Sequence, residues 1–208
     1  MGRVVLSLAR QLNAHDRRWQ DIFFLDDFSP GRRLEGCRVE SFERLAASGE
    51  LADGLEVAIA VGDPAKREVL AQNIANRRIK TALLIHPDVR TPETCRIGGG
   101  SIIYQGAAIS PGAIIEDNVF MQYHAVVGHD TVVGAHSVLS AQSFIAGGCQ
   151  IGPRSYIGPA AAVRDRIRVG PDAVVAMGAA VFHDVPEGAT ALGNPAKNFP
   201  RIPGKPLF

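Results

Sequence analysis

Residues 127–162 read VGHDTV VGAHSV LSAQSF IAGGCQ IGPRSY IGPAAA, six blocks of six residues that each begin with an apolar side chain. The same register extends from Ile85 to Pro186 as seventeen consecutive blocks, without an insertion or a deletion. Every block begins with an apolar residue except the one that starts at Thr91. A fixed short period of this kind is typical of a solenoid, in which each repeat buries its apolar face by stacking on its neighbours.

The six-residue period indicates strands and turns. An α-helix would repeat its apolar face every three or four residues, and the glycines and prolines inside the blocks would break it. A block of six suits a short strand followed by a tight turn, so three blocks would close a triangular coil of eighteen residues. The fifth residue of a block is mostly small, which predicts that it lies beneath a corner. Cys95 and Cys149 occupy this position, and we expect them to pack.

The first 84 residues follow a different pattern of short strands and helices. Asp63-Pro64 is an N-cap followed by proline at the first helical position. Helices are predicted over residues 4–12 and 41–47 and from residue 64 towards residue 77, and strands over residues 21–26, 55–61 and 81–85. This alternation predicts a small parallel α/β domain over residues 1–84, followed by a β-helix domain with a C-terminal tail over residues 85–208.

The α/β region begins in an unusual place. A nucleotide-binding domain of this kind normally opens with a strand and a glycine-rich loop, but Met1-Gly2-Arg3 already lies at the start of the first helix. We therefore predict a Rossmann-like domain that lacks its first strand, unless the true start lies upstream. Ligands of such domains bind at the carboxyl ends of strands, which makes Asp26, Asp27 and Gly62 candidate substrate contacts.

Several segments together resemble one branch of the hexapeptide-repeat acyltransferases. These segments are Phe24-Leu25-Asp26-Asp27, Gly31-Arg-Arg-Leu-Glu-Gly36, Ala60-Val-Gly62-Asp63, Ile85-His86-Pro87, Gly128-His129-Asp130 and Gly193-Asn-Pro-Ala-Lys197. The branch comprises sialic acid O-acetyltransferase-like proteins and the N-acetyltransferases that modify nucleotide-linked 4-amino sugars. The resemblance implies a left-handed parallel β-helix, acetyl-CoA as co-substrate and a nucleotide sugar as acceptor. The sequence leaves open which sugar is used and whether nitrogen or oxygen is acylated.

The resemblance also implies that His129 is the catalytic base and Asp130 the acid that raises its basicity. An acetyl transfer from a thioester to an amine or a hydroxyl needs a proton acceptor whose pKa lies near the working pH, and imidazole supplies one. An adjacent carboxylate can hold the tautomer and stabilise the imidazolium. No cysteine is placed to form a covalent acyl-enzyme, so direct transfer in a ternary complex is expected.

The donor contacts that the resemblance implies lie at corners of the coils and in the tail. In the family, a second histidine often follows the catalytic one by nine residues, and here that position is Val138. The predicted donor contacts are Val138, Gly158, Pro159, Ala160, Met177, Gly178 and Lys197. The cationic side chains that could meet coenzyme A phosphates are Arg164, Arg166, Arg168 and Lys197.

A homotrimer with active sites between its subunits is expected from the resemblance. Flat sides of the prism that carry apolar residues such as Phe120, Tyr123 and Phe144 would supply the interfaces. Two alternatives remain. One is a zinc-dependent, carbonic anhydrase-like trimer that uses His124 and His129, which are five residues apart, although zinc needs a third ligand. The other is a trimeric scaffold or binding relic without turnover.

The overall composition excludes several classes of protein. A formal net charge of +1 and 21% charged residues give no indication of a nucleic-acid groove or a polybasic membrane patch. No run of apolar residues is long enough to predict a membrane span. The 3 cysteines have no metal-binding or redox spacing, which predicts a reducing, cytoplasmic setting.

Overall fold

The computed structural model describes residues 1–48 and 54–201, in which a small α/β region leads into a long parallel β-helix. The elements of the first region are, in chain order, α1 (Gly2–Asp16), β1 (Phe24–Leu25), β2 (Arg33–Leu34), β3 (Cys37–Glu40), α2 (Phe42–Ser48), β4 (Glu56–Val57), α3 (Pro64–Asn76) and β5 (Lys80–Thr81). The predicted helices are confirmed. The N-cap Asp63 accepts a hydrogen bond from the backbone N–H of Lys66 at 3.2 Å.

The strands of the α/β region form two separate parallel pairs. β1 pairs with β3, and β4 pairs with β5. In the described part of the chain no strand lies between the two pairs. The strands predicted over residues 21–26 and 55–61 are shorter than expected, because only two residues of each have a ladder partner.

A β-hairpin in this region was not predicted. β2 and β3 are antiparallel and are joined by Glu35 and Gly36, which both have positive φ angles, of 50° and 78°. Two consecutive residues with positive φ make the two-residue turn that matches the twist of a hairpin. The Glu35-Gly36 pair between Leu34 and Cys37 was the available signal.

Two-residue strands then recur at six-residue intervals through the β-helix. They are β6 (Leu84–Ile85), β7 (Arg96–Ile97), β8 (Ile102–Ile103), β9 (Ala108–Ile109), β10 (Ile114–Ile115), β11 (Phe120–Met121), β12 (Val126–Val127), β13 (Val132–Val133), β14 (Val138–Leu139), β15 (Phe144–Ile145), β16 (Gln150–Ile151), β17 (Tyr156–Ile157), β18 (Ala162–Val163), β19 (Arg168–Val169), β20 (Val174–Val175) and β21 (Ala180–Val181). No strand includes Thr91, the polar residue that begins its block. A hairpin of β22 (Ala189–Gly193) and β23 (Ala196–Pro200) follows.

The strands stack with a period of eighteen residues, as Ile85 pairs with Ile103 and Ile103 with Met121. The left-handed coils form a prism with three faces. We call these the covered face (β6, β8, β11, β14, β17, β20), the apolar face (β9, β12, β15, β18, β21) and the polar face (β7, β10, β13, β16, β19). The predicted fold class is confirmed.

The core of the prism contains the first and fifth residues of the blocks. Every block-initial side chain from Ile103 to Val181 is buried. The small fifth residues also bond the next coil: the Ser137 hydroxyl donates to the carbonyl of Gly152 at 3.0 Å and accepts from the N–H of Ser155 at 3.1 Å. These hydroxyls satisfy backbone groups at the tight corners, where a larger side chain would not fit.

The α/β region packs on the covered face. Val5, Leu8 and Leu12 line one side of α1 and form a buried cluster with outward-facing residues of that face. Phe120 belongs to this cluster and is 1% exposed. The expectation that Phe120 lies on a free side of the prism is therefore wrong, because α1 covers it.

The boundary between the two predicted regions falls inside an element, since residues 84 and 85 together form β6. Leu84 faces the α1 cluster, whereas Ile85 packs against the prism core. Among the described residues, no helix is long and apolar enough to cross a membrane.

Candidate active site

His129 and Asp130 lie at a corner between the apolar and polar faces, which we call the His129 edge. The Nδ1 atom of His129 is 2.9 Å from Oδ2 of Asp130. The two side chains are 71% and 73% exposed. Asp130 has a φ of 54° and donates its N–H to the carbonyl of Pro111 in the preceding coil at 3.1 Å. The corner therefore directs both side chains towards solvent. Their third and fourth positions in the block predict this exposure.

The Nδ1 contact defines what the imidazole can do. With the Nδ1 proton donated to the Asp130 carboxylate, Nε2 carries the lone pair and can accept a proton from solvent or substrate. The carboxylate also stabilises the cation that forms when Nε2 is protonated. The pair is therefore arranged as an oriented general base.

The predicted donor residues lie on another edge. Gly158, Pro159 and Ala160 form the corner between the covered and apolar faces, which we call the Met177 edge. Met177 and Gly178 lie in the next coil of that edge, where Gly178 donates its N–H to the carbonyl of Pro159 at 2.9 Å. A Cβ on Gly158 would lie 2.6 Å from the backbone nitrogen of Met177, so close stacking requires glycine there. Met177 is 75% exposed.

Within one chain, His129 and the Met177 edge are not brought together. The apolar face separates them by about five residues of extended chain, or roughly 15 Å, and Met177 lies roughly three coils further along the axis, at ~4.8 Å per coil. The apolar face itself exposes Phe144, and Tyr123 and Phe182 are exposed at its two sides. A site that used both edges would need a second copy of the chain.

Two other predicted donor contacts have distinct environments. Val138 is fully buried on the covered face, within the cluster that includes Val5 and Leu8 of α1. Its side chain therefore offers no surface to a donor. Lys197 is exposed on β23 in the terminal hairpin, opposite Leu192.

The three arginines proposed to meet phosphates belong to the neighbourhood of the His129 edge. Arg164 and Arg166 lie at its corner two coils beyond His129, and Arg168 begins β19 on the polar face. All three side chains are exposed. They are therefore remote from the Met177 edge of the same chain, although they could meet a ligand that a neighbouring copy holds.

The predicted substrate residues of the α/β region lie around the start of α1. A Cβ on Gly62 would lie 2.6 Å from the Cε atom of Met1, and a Cβ on Gly2 would lie 3.2 Å from the ring of Phe24. The end of β1, the segment after β4 and the amino end of α1 therefore converge, as in a ligand site of a doubly wound domain. Free N–H groups at a helix start favour an anion such as a phosphate.

The two aspartates already have hydrogen-bond partners. Asp26 accepts from the N–H of Phe28 at 3.0 Å and from Nη2 of Arg32 at 3.1 Å. Asp27 accepts from the N–H of Phe42 at 2.9 Å and so helps to begin α2. Both residues organise the loop after β1, and a contact with substrate would come in addition to this structural role.

A cavity of about 1050 Å³ lies between the two parallel strand pairs. Its walls include Phe24 on β1, Val57 on β4 and Val5 on the underside of α1. Neither β1 nor β4 has a ladder partner on the side that faces the other pair, among the described strands. The cavity thus lies where a further strand could pair with both β1 and β4 and join the two pairs into one sheet.

The remaining histidines do not converge with His129. His124 is exposed on the Met177 edge, and His86 lies on the same edge two coils earlier, with Nδ1 3.7 Å from a carboxylate oxygen of Asp88. His136 lies on the third edge. Among residues 1–48 and 54–201, no group of three or more His, Cys, Asp or Glu side chains is arranged to hold a metal ion.

Comparison with known proteins identifies relatives for both parts of the chain. The family model described as the PglD N-terminal domain matches residues 1–74. No curated protein sequence matches the chain significantly.

Several solved structures are similar over most of their length. The acetyltransferase domain of PglB from Neisseria gonorrhoeae FA1090 is 32% identical, with a TM-score of 0.86 over 95% of this chain and 94% of that one, and it has also been solved in complex with acetyl coenzyme A. WeeI from Acinetobacter baumannii AYE is 27% identical, with a TM-score of 0.87 over 95% and 94% of the two chains. A variant of perosamine N-acetyltransferase from Caulobacter crescentus, in complex with CoA and GDP-perosamine, is 27% identical, with a TM-score of 0.80 over 86% and 85%.

These comparisons agree with one another. The PglB domain is similar in sequence over nearly the whole of both chains, and the family model matches the α/β region that precedes the β-helix. The chain belongs to the hexapeptide-repeat family of sugar acetyltransferases.

Proposed function

We propose that the protein transfers the acetyl group of acetyl-CoA to an amino group of a nucleotide-linked sugar, with His129 as the general base. The observation that carries this proposal is the exposed His129–Asp130 pair, with 2.9 Å between Nδ1 and Oδ2, at an edge of an acetyltransferase prism. Relatives that bind acetyl coenzyme A, or CoA together with GDP-perosamine, support the choice of donor and acceptor.

The reaction is a direct transfer within a ternary complex. The amine nitrogen of the sugar attacks the thioester carbonyl carbon, and Nε2 of His129 takes the proton that the nitrogen loses. The carbon–sulfur bond then breaks, and the departing thiolate receives a proton from the imidazolium, so that CoA leaves as the thiol. Asp130 holds the ring and stabilises its cationic form, which is the contribution expected of a carboxylate on Nδ1.

We propose that the active site lies between subunits of a homotrimer. The donor would lie along the Met177 edge of one subunit, near Gly158, Pro159, Ala160, Met177 and Gly178, with its thioester level with His129 of the neighbour. Lys197 and the neighbour's Arg164, Arg166 and Arg168 are candidate partners of the phosphates. The exposed apolar face, with Phe144 at its centre, supports a face-to-face assembly.

We propose that residues 1–84 bind the nucleotide part of the acceptor. The convergence of Met1, Asp26 and Gly62 at the amino end of α1 supports this assignment, because a helix start favours a phosphate. The residues beyond 84 would then supply the donor and the base.

A screen of acceptors tests the proposed reaction. CoA thiol release from acetyl-CoA should be measured with a panel of nucleotide-linked amino sugars and with the matched hydroxy sugars. We expect turnover with at least one amino sugar and little with its hydroxy counterpart. Turnover with hydroxy sugars alone would establish O-acetylation, and binding without turnover across the panel would favour a scaffold that holds nucleotide sugars.

A further inference from the structure

The imidazole of His129 lies against a glycine of the next coil. Gly147 follows His129 by eighteen residues and occupies the same position on the His129 edge. A Cβ on Gly147 would lie 2.6 Å from Cε1 and 2.7 Å from Cδ2 of the ring, and closer still to Nε2. Since Cβ atoms do not approach other heavy atoms to within 3.0 Å, the ring occupies the space that any other residue at position 147 would need.

The backbone itself does not require glycine at this position. Gly147 is outside the left-handed region, unlike its neighbour Gly148, which has a φ of 70°. His129 and Asp165 occupy the equivalent place in the two adjacent coils of the same edge, and Pro111 occupies it one coil before His129. At Gly99, which has the same block position on another edge, the nearest atom to an added Cβ is 3.9 Å away. A side chain is thus sterically allowed at this corner position.

Gly128 and Gly152 differ from Gly147 in this respect. A Cβ on Gly128 or Gly152 would lie 2.5 Å from backbone atoms of the next coil, so these positions need glycine for stacking. The three atoms nearest to an added Cβ on Gly147 all belong to the ring of His129. The space at position 147 is therefore filled first by the imidazole of His129, and not by backbone of the next coil as at Gly128 and Gly152.

The carboxylate of Asp130 has a similar arrangement in the opposite direction. An added Cβ on Gly112, one coil before Asp130, would overlap Oδ1 of the carboxylate. The His129–Asp130 pair therefore lies between two residues without side chains, one on each side along the edge. Gly112 also has a φ of 75°, which by itself favours glycine at this position. Gly147 therefore gives the clearer test.

We infer that Gly147 is a positioning residue for His129: its missing Cβ leaves the space in which the imidazole lies with Nδ1 on Asp130 and Nε2 free. This inference rests on the proposed role of His129 as the base. A methyl group at position 147 must displace the ring outward by somewhat less than about 1 Å, or rotate it about its side-chain bonds, to reach ordinary contact distances. A displacement of about 1 Å at a reacting group can cost on the order of 10²-fold in rate.

Gly147→Ala tests the inference, and Gly99→Ala is its matched control. We expect Gly147→Ala to lower kcat by roughly 10–10²-fold, to leave KM for acetyl-CoA near the wild-type value, and to leave the melting temperature unchanged. Gly99→Ala should match the wild type in all three quantities. In a His129→Ala background, adding Gly147→Ala should cause no further loss, because the group that it displaces is gone.

A spectroscopic readout separates the position of the ring from its chemistry. The proton and carbon resonances of His129 Cε1, assigned with a His129→Gln variant, should shift in Gly147→Ala, while those of His183 on the same edge should not. Unmoved His129 resonances with wild-type kcat would overturn the positioning role. Shifted resonances with wild-type kcat would support the contact and would instead contradict the assignment of His129 as the base.

Discussion

The guanidinium of Arg67 on α3 donates two hydrogen bonds to the backbone carbonyl of Asn118 in the β-helix, at 3.0 and 2.6 Å. Its Nη1 atom also bonds the carbonyls of Ile59 and Val61, at 2.6 and 2.9 Å. The side chain is fully buried, and burial lowers the pKa of Arg67 to about 10, which still leaves it protonated at neutral pH. A single cation therefore joins the segment after β4 to a corner of the prism.

Replacing Arg67 should loosen the junction between the two regions. Arg67→Met keeps much of the volume but leaves the buried carbonyls of Asn118 and Ile59 and the half-buried carbonyl of Val61 without a donor. This loss should lower the free energy of unfolding by about 2–4 kcal/mol. Lys66→Ala, at the exposed preceding position, should change it by less than about 0.5 kcal/mol. Urea unfolding followed by fluorescence of the protein's Trp19 measures both, and equal midpoints for the two variants would contradict this account.

The environment of His136 predicts a loss of stability in mild acid. Burial is the main cause that lowers the pKa of His136, with Arg67 and Arg154 acting in the same direction and Glu68 and Asp117 opposing them. The unfolded chain would bind a proton near pH 6.5 while the folded protein would not. Stability should therefore be complete above pH 6.5 and should fall as the pH drops below this value.

The pH prediction can be measured as the melting temperature between about pH 7.5 and 5.5. His136→Gln should flatten the dependence in this window, whereas His183→Gln, at an exposed position, should leave it unchanged. A wild-type melting temperature that rises on acidification would show that His136 gains a proton on folding, with the opposite sign.

The cavity between β1 and β4 predicts that an added strand would stabilise the α/β region. An extension ahead of Met1, made of an apolar strand and a glycine-rich loop, could pair with both unpaired strand edges and place N–H groups at the start of α1. It should raise the melting temperature and tighten nucleotide binding, measured by calorimetry. A Gly/Ser extension of equal length is the control, and equal nucleotide affinities for the two proteins would refute the interpretation of the cavity.

Mixed assemblies of the proposed homotrimer test whether each site uses two subunits. His129→Ala removes the base. Gly178→Asp should block the close approach of a donor on the Met177 edge without disturbing the stacking, because a Cβ on Gly178 meets nothing within 4 Å and aspartate tolerates its positive φ. If these residues act in different subunits, trimers reassembled from an equal mixture should regain about a quarter of wild-type activity, since a quarter of the interfaces then combine two intact halves. If the two inactive variants remain inactive after subunit exchange has been confirmed, both residues act within the same subunit.

The β-helix was predictable almost residue by residue because each block specifies its own burial. Apolar residues such as Ile103 and small ones such as Ser137 recur in phase, and the phase also predicts that positions eighteen apart stack. That rule could have found Gly147 beneath the imidazole, since it follows His129 by one coil. It also explains why Thr91, the one polar block-initial residue, has no strand.

The six-residue period does not predict contacts between the α/β region and the β-helix. Arg67 and Asn118 are 51 residues apart, and nothing in the local sequence pairs them. For the same reason Phe120 was placed on an open side of the prism, although α1 covers it. Burial by a separate element depends on docking, which no six-residue pattern encodes.

The most direct test of the account is the turnover of His129→Ala with the acceptor that the screen identifies. Because the side chain is exposed at a corner, its loss should leave the oligomeric state and the melting temperature nearly unchanged. We expect kcat to fall by roughly 10²–10⁴-fold, the scale of general-base catalysis, with a smaller loss in Asp130→Asn and almost none in His183→Ala. Wild-type turnover in His129→Ala would contradict the proposed mechanism, and equal losses in His124→Ala and His129→Ala with zinc bound to the wild-type protein would point to a metal-dependent reaction instead.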